Sequence, residues 1–129
     1  MNNVEKRQLK RLLCSDNFSM CFVEIKQEIF EATPINFNRA GMSFSTPSPL
    51  PDFNQAFLSF TYGDTSPSRF HIEKLLITVH YAYELDVCSE YKCRYVMPDT
   101  KTLQSLIAIE EALSNESVED GMERYGIHS

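Results

Sequence analysis

Apolar and polar residues alternate with a period of two through most of the chain between Phe18 and Met97, which predicts strands. Phe18 to Ile25 sets Cys21, Val23 and Ile25 on one face and Met20 and Phe22 on the other. Glu28 to Ala32 predicts a second strand, closed by Pro34. Met42 and Phe44 alternate with Ser43 and Ser45, a short strand with one dry face. The stretch Pro47-Ser-Pro-Leu-Pro-Asp52 lacks the backbone donors a ladder needs, so it is a loop. Beyond it, Ala56, Leu58, Phe60 and Tyr62 share one side of a strand, with Phe57, Ser59 and Thr61 opposite. A turn from Gly63 to Ser68 leads to the clearest alternation: Leu75, Ile77, Val79, Tyr81 and Tyr83 against Leu76, Thr78, His80 and Ala82. On this reading Tyr81 belongs to the core and His80 to solvent. Tyr91, Cys93, Tyr95 and Met97 are in phase in a last strand.

About six short strands with turn chemistry between them predict a small antiparallel barrel or sandwich. Closure would remove the exposed edges that an aromatic-rich sheet must hide. After Pro98 the period changes to that of a helix, with Leu103, Leu106, Ile107 and Leu113 on one stripe. Asp99 is placed to cap its first turn. A second, weaker helix is expected after Ser117, where Ser117 and Asp120 have capping-box spacing and Val118, Met122 and Tyr125 form an apolar face.

Composition narrows the classes. The 129 residues suit one domain, and an apolar share of 43% suits a packed core. No apolar run approaches the roughly 18–20 residues that span a bilayer, and no apolar segment follows the basic N-terminus as in a secretory leader. The expectation is a cytoplasmic protein that does not insert into membranes. Cys14, Cys21, Cys88 and Cys93 lack the paired spacing of a zinc or redox motif, and Cys21 and Cys93 fall on strand faces as small hydrophobes. A zinc site joining them to His71 or His80 is disfavoured, and no cofactor is expected. A net charge of −6 argues against DNA or RNA as a partner. His71, His80 and His128 are scattered and no glycine-rich phosphate loop is present, so an enzyme is not expected.

Charge is nevertheless uneven. Lys6, Arg7, Lys10 and Arg11 gather near the N-terminus, whereas acidic residues dominate from Glu110 onward. A basic arm on an acidic protein points to a confined anionic ligand. Arg7 and Arg11 lie four residues apart, and the guanidinium fork matches both phosphate oxygens and guanine O6 and N7. Read by itself, such a pair is more often a solvated basic tail. The second element is Asn36-Phe-Asn-Arg-Ala-Gly41, a turn before the Met42 strand. Asn36 and Asn38 can point the same way and accept from a guanine edge, while Gly41 permits close approach. By itself this reads as an ordinary Asn/Gly turn.

Together, in this order and spacing, the two elements resemble the PilZ family, whose members carry an R-x-x-x-R arm and, some two to three dozen residues later, a [DN]-x-S-x-x-G turn. Arg7 and Arg11 match the arm, and Asn36 and Gly41 match the turn. The likeness spans roughly residues 5–113. It implies a mainly β fold, a six-stranded antiparallel PilZ-like β-barrel with a C-terminal α-helix. The expected organisation is one domain over 1–129: a flexible basic arm at 1–12, the barrel at 18–97 and a C-terminal helical segment at 99–125. It further implies a cyclic di-GMP receptor that changes arm conformation on binding and signals to a protein partner. The implied ligand-binding residues are Arg7, Arg11, Asn36, Asn38 and Gly41. Lys6 and Lys10 add charge, and a basic residue before the first arginine is a feature of members that hold a stacked ligand dimer. Two departures stand out: Asn38 occupies the family's serine position, and no glycine opens the last strand near Glu90. They motivate the alternative of a degenerate PilZ domain that serves as an adaptor without nucleotide.

Overall fold

The structure is a computed structural model and describes residues 12–63 and 69–124, with side chains through residue 116. Among the described residues, seven strands and one helix follow in chain order. They are β1 (Leu12–Leu13), β2 (Cys21–Ile25), β3 (Glu28–Phe37), β4 (Gly41–Thr46), β5 (Gln55–Tyr62), β6 (Phe70–Glu84), β7 (Ser89–Tyr95) and α1 (Thr100–Arg124). All pairings are antiparallel, in the order β1-β3-β2-β5-β6-β7-β4, and β4 pairs back onto β3. That last pairing closes β2 to β7 into a six-stranded barrel, while the two-residue β1 lies on the outer end of β3. Closure leaves the aromatic-rich sheet without long open edges.

The inward rows fill the barrel as the alternation requires. Cys21, Val23 and Ile25 are buried, as are Ala56, Leu58, Phe60 and Tyr62 on β5, and Tyr91, Cys93 and Tyr95 on β7. Burial pushes the Cys14 and Cys93 thiols up to about 12, so at neutral pH they remain protonated. Cys21 donates weakly to the Met42 sulfur across the core at 3.6 Å. Toward one end, Phe18, Phe37, Phe60, Tyr62 and Tyr95 form a chain of tilted and edge-on ring contacts.

Several expectations need correction. β3 does not stop at Pro34 but runs on to Phe37, because a bulge between Pro34 and Asn36 takes up the missing donor. Tyr81 is not in the core: it is 52% exposed. Val79 lies opposite Cys93 but Tyr81 lies opposite Lys92, so one extra β6 residue flips the inside–outside parity beyond it. His80 is exposed as expected and packs edge-on against Tyr81. Met97 leaves the strand with a left-handed φ of 41° and is 91% exposed. Ser43, expected on the wet face, is buried.

Asp99 caps α1 as expected, accepting from the Thr102 backbone N–H at 2.7 Å, which holds its carboxyl below the usual range. The buried stripe differs: Leu106, Ile109 and Leu113 join the barrel core, while Leu103 is 38% exposed. Each such buried side chain contributes about 2 kcal/mol to docking the helix. The helix backbone continues unbroken to Arg124, so no separate helix starts after Ser117. Its backbone hydrogen bonds are already continuous there, which leaves the proposed cap no role. Among the described residues no helix is long and apolar enough to cross a membrane.

Candidate functional site

Local geometry of the Asn36–Gly41 turn follows from its side chains. Asn38 accepts from the backbone N–H groups of Ala40 at 2.8 Å and Gly41 at 3.0 Å, and its own N–H donates to the Gly41 carbonyl at 3.0 Å. This is the self-bonded turn for which Asn is suited. The remaining N–H, that of Arg39, donates to Glu110 Oε2 at 2.9 Å. The Arg39 guanidinium also grips Glu110, with Nε 2.8 Å and Nη2 2.6 Å from Oε1. The turn is therefore tied to the C-terminal helix by an ion pair in which two guanidinium nitrogens share Oε1 and the backbone N–H takes Oε2, with the Glu110 side chain only 13% exposed.

Asn36 sits at the bulge, half-buried, and its Oδ1 accepts from the Ser43 hydroxyl at 2.7 Å. That bond explains why Ser43 is buried without penalty. Gly41 starts β4 opposite Arg94. A Cβ there would lie 2.2 Å from the Cys93 carbonyl oxygen, so only glycine lets the two backbones meet. The structure thus brings Asn36, Asn38 and Gly41 together on one short segment. Arg7, Arg11, Lys6 and Lys10 lie outside the described residues, but the chain that follows them is placed. Leu12 pairs with Phe37 and Leu13 with Asn36, and the Cys14 N–H donates to the Ile35 carbonyl at 2.8 Å.

Sequence reading missed three residues here. Arg39 and Glu110 pair across 71 residues, and no local pattern announces such a contact. Ser43 was assigned to the wrong face by simple alternation. The acceptor roles read for the asparagines also change. Both lone pairs of Asn38 Oδ1 are already engaged, which leaves its two amide donors as the capacity not used among the described residues.

Farther along α1, Glu116 accepts from the Tyr62 hydroxyl, and burial followed by this contact raises the tyrosine's pKa. The buried Tyr95 hydroxyl has no hydrogen-bond partner among the described residues. Among the described residues no group of three or more potential ligands could hold a metal ion.

No family model and no curated protein matches the chain. Two solved structures are similar. The PilZ domain of YcgR from Escherichia coli, solved with c-di-GMP, superposes with a TM-score of 0.68 at 14% identity, covering 90% of this chain and 97% of that one. The Borreliella burgdorferi PlzA protein in complex with c-di-GMP gives a TM-score of 0.59 at 12% identity, covering 89% of this chain and 54% of that one. At such identities the likeness is one of fold, and it agrees with the strand order and terminal helix described above. The chain has the PilZ-like fold, a closed six-stranded antiparallel barrel followed by a C-terminal helix.

Proposed function

We propose that this chain is a cyclic di-GMP receptor, with the dinucleotide lying against the Asn36–Gly41 turn and clasped by Arg7 and Arg11. The observation that carries the reading is the pairing of Leu12 and Leu13 with Phe37 and Asn36. Covalent geometry then sets the Arg11 Cα about 3.8 Å from that of Leu12, and the Arg7 Cα within roughly 18 Å of it. The linkage is thus short enough to let both guanidinium groups reach a ligand resting on the turn. They contact phosphate and the Hoogsteen edge of guanine, while Lys6 and Lys10 add charge. Asn36 keeps a second lone pair for a guanine N–H, and Asn38 offers its amide donors to an acceptor on the ligand. Gly41 lets the ligand-facing segment lie close to β7. Both structural neighbours being c-di-GMP complexes supports the same ligand.

The proposed role is binding rather than catalysis, in the cytoplasm. Fixing the arm against the turn costs backbone entropy, so ligand and arm order together and present a new surface to a protein partner. One observation favours a second reading, the adaptor without nucleotide: Asn38 Oδ1 is already saturated by its own turn.

Calorimetry with cyclic di-GMP separates the two. The receptor is expected to bind with a Kd of about 1 µM or tighter, about 8 kcal/mol of affinity. Asn38→Ser is expected to bind within about threefold of wild type, because a serine hydroxyl accepts from the same turn N–H groups. No heat up to millimolar ligand leaves only the adaptor. Loss of binding in Asn38→Ser alone assigns the Asn38 amide donors a direct contact.

A further inference from the structure

Resting on the receptor reading, we propose that Glu110, acting through Arg39, couples occupancy of the Asn36–Gly41 turn to the docking of the C-terminal helix. Every backbone N–H from Asn38 to Gly41 has a fixed acceptor. Asn38 donates to the Gly41 carbonyl, Arg39 donates to Glu110, and Ala40 and Gly41 donate to Asn38. The turn therefore cannot adjust around a ligand by one loose residue. A shift of the segment reaches Glu110 directly. Glu110 in turn moves only with the helix, because Leu106, Ile109 and Leu113 around it are buried in the barrel core.

The sign of the coupling follows from burial. Releasing Arg39 would leave a carboxylate that is 13% exposed without its cation, a costly state. The ion pair consequently persists when ligand binds, and a ligand that steadies the turn steadies the helix. Linkage makes the effect mutual: a well-docked helix raises affinity at the turn. Glu110 and Arg39 are positioning residues here, since neither is required to touch the dinucleotide.

Hydrogen exchange of the α1 amides near Glu110, with and without saturating cyclic di-GMP, tests this beside calorimetry on the same samples. In wild type these amides are expected to slow about fivefold or more, the low end of ordinary coupling. Glu110→Gln is expected to bind about fivefold more weakly and to lose the ligand-dependent slowing. If Glu110→Gln undocks the helix in the free protein, Arg39→Lys, which keeps a cation beside Glu110 as well as the backbone N–H bond to it, is the variant to compare. It should show a reduced response. Wild type that binds ligand with α1 exchange unchanged overturns the coupling and leaves the receptor intact. Absence of binding overturns the receptor and the coupling with it.

Discussion

Replacing Arg7 and Arg11 together by alanine is expected to weaken cyclic di-GMP binding between roughly 30-fold and 20,000-fold. Each bidentate guanidinium contact contributes about 1–3 kcal/mol, and every 1.4 kcal/mol is tenfold in affinity. Single substitutions should fall between wild type and the pair. The thermal midpoint should not change, since among the described residues the buried core runs from Phe18 to Leu113. Titration calorimetry and a melting curve on the same preparations give both numbers. Equal affinity in all variants would make the two arginines solvated tail residues.

Gly41→Ala is expected to produce the largest loss of stability at the site. The backbone there does not demand glycine for its dihedral angles, because Gly63 is the glycine with a positive φ among the described residues. What demands it is space. The added Cβ would lie 2.2 Å from the Cys93 carbonyl oxygen and 3.3 Å from the Arg94 Cα, both backbone atoms that no rotamer change can move. Relief requires β4 and β7 to separate where Gly41 faces Arg94 and Met42 faces Cys93. The Tyr95 N–H bond to the Ala40 carbonyl, at 3.0 Å, would be strained as well. Overpacking of this kind costs about 3 kcal/mol, or roughly 10 °C in Tm for a domain of this size. Denaturant titration measures it. An unchanged midpoint would mean that the strand pair yields freely at this point.

Much of the barrel was legible because period-two alternation is a direct record of which residues face inward. The β5 row and the Cys21–Ile25 row are buried as read. Asp99 was legible too, since a capping carboxylate acts within three residues of its own position. What escaped was every feature set by a partner strand or a distant residue. The bulge after Val79 exists only in the pairing with β7, and it turned Tyr81 outward against its own alternation. The two-residue turn at Lys26 and Gln27 has both residues at positive φ without the glycine or asparagine that announces such a turn. Along α1, Ile109 rather than Leu103 and Ile107 faces the barrel most fully, because the helix's rotation is set by what it docks against.

The candidate site divides in the same way. Asn36, Asn38 and Gly41 were legible from their order before a strand, and the structure holds them on one segment. Their hydrogen bonding was not legible, because Ser43 and Glu110 reach them from other elements. The Arg39–Glu110 pair in particular is invisible locally. Arg39 looks like an ordinary turn cation and Glu110 like one acid in an acidic tail.

Where the dinucleotide sits is tested most directly by following backbone amide NMR shifts during a cyclic di-GMP titration. The largest changes are expected at residues 5–11 and 36–41, with a smaller set on α1 near Glu110 and little movement at the buried β5 and β6 positions. Shifts concentrated on the exposed hairpin around Tyr81 to Val87, with residues 36–41 silent at saturation, would contradict the placement of the ligand on this turn.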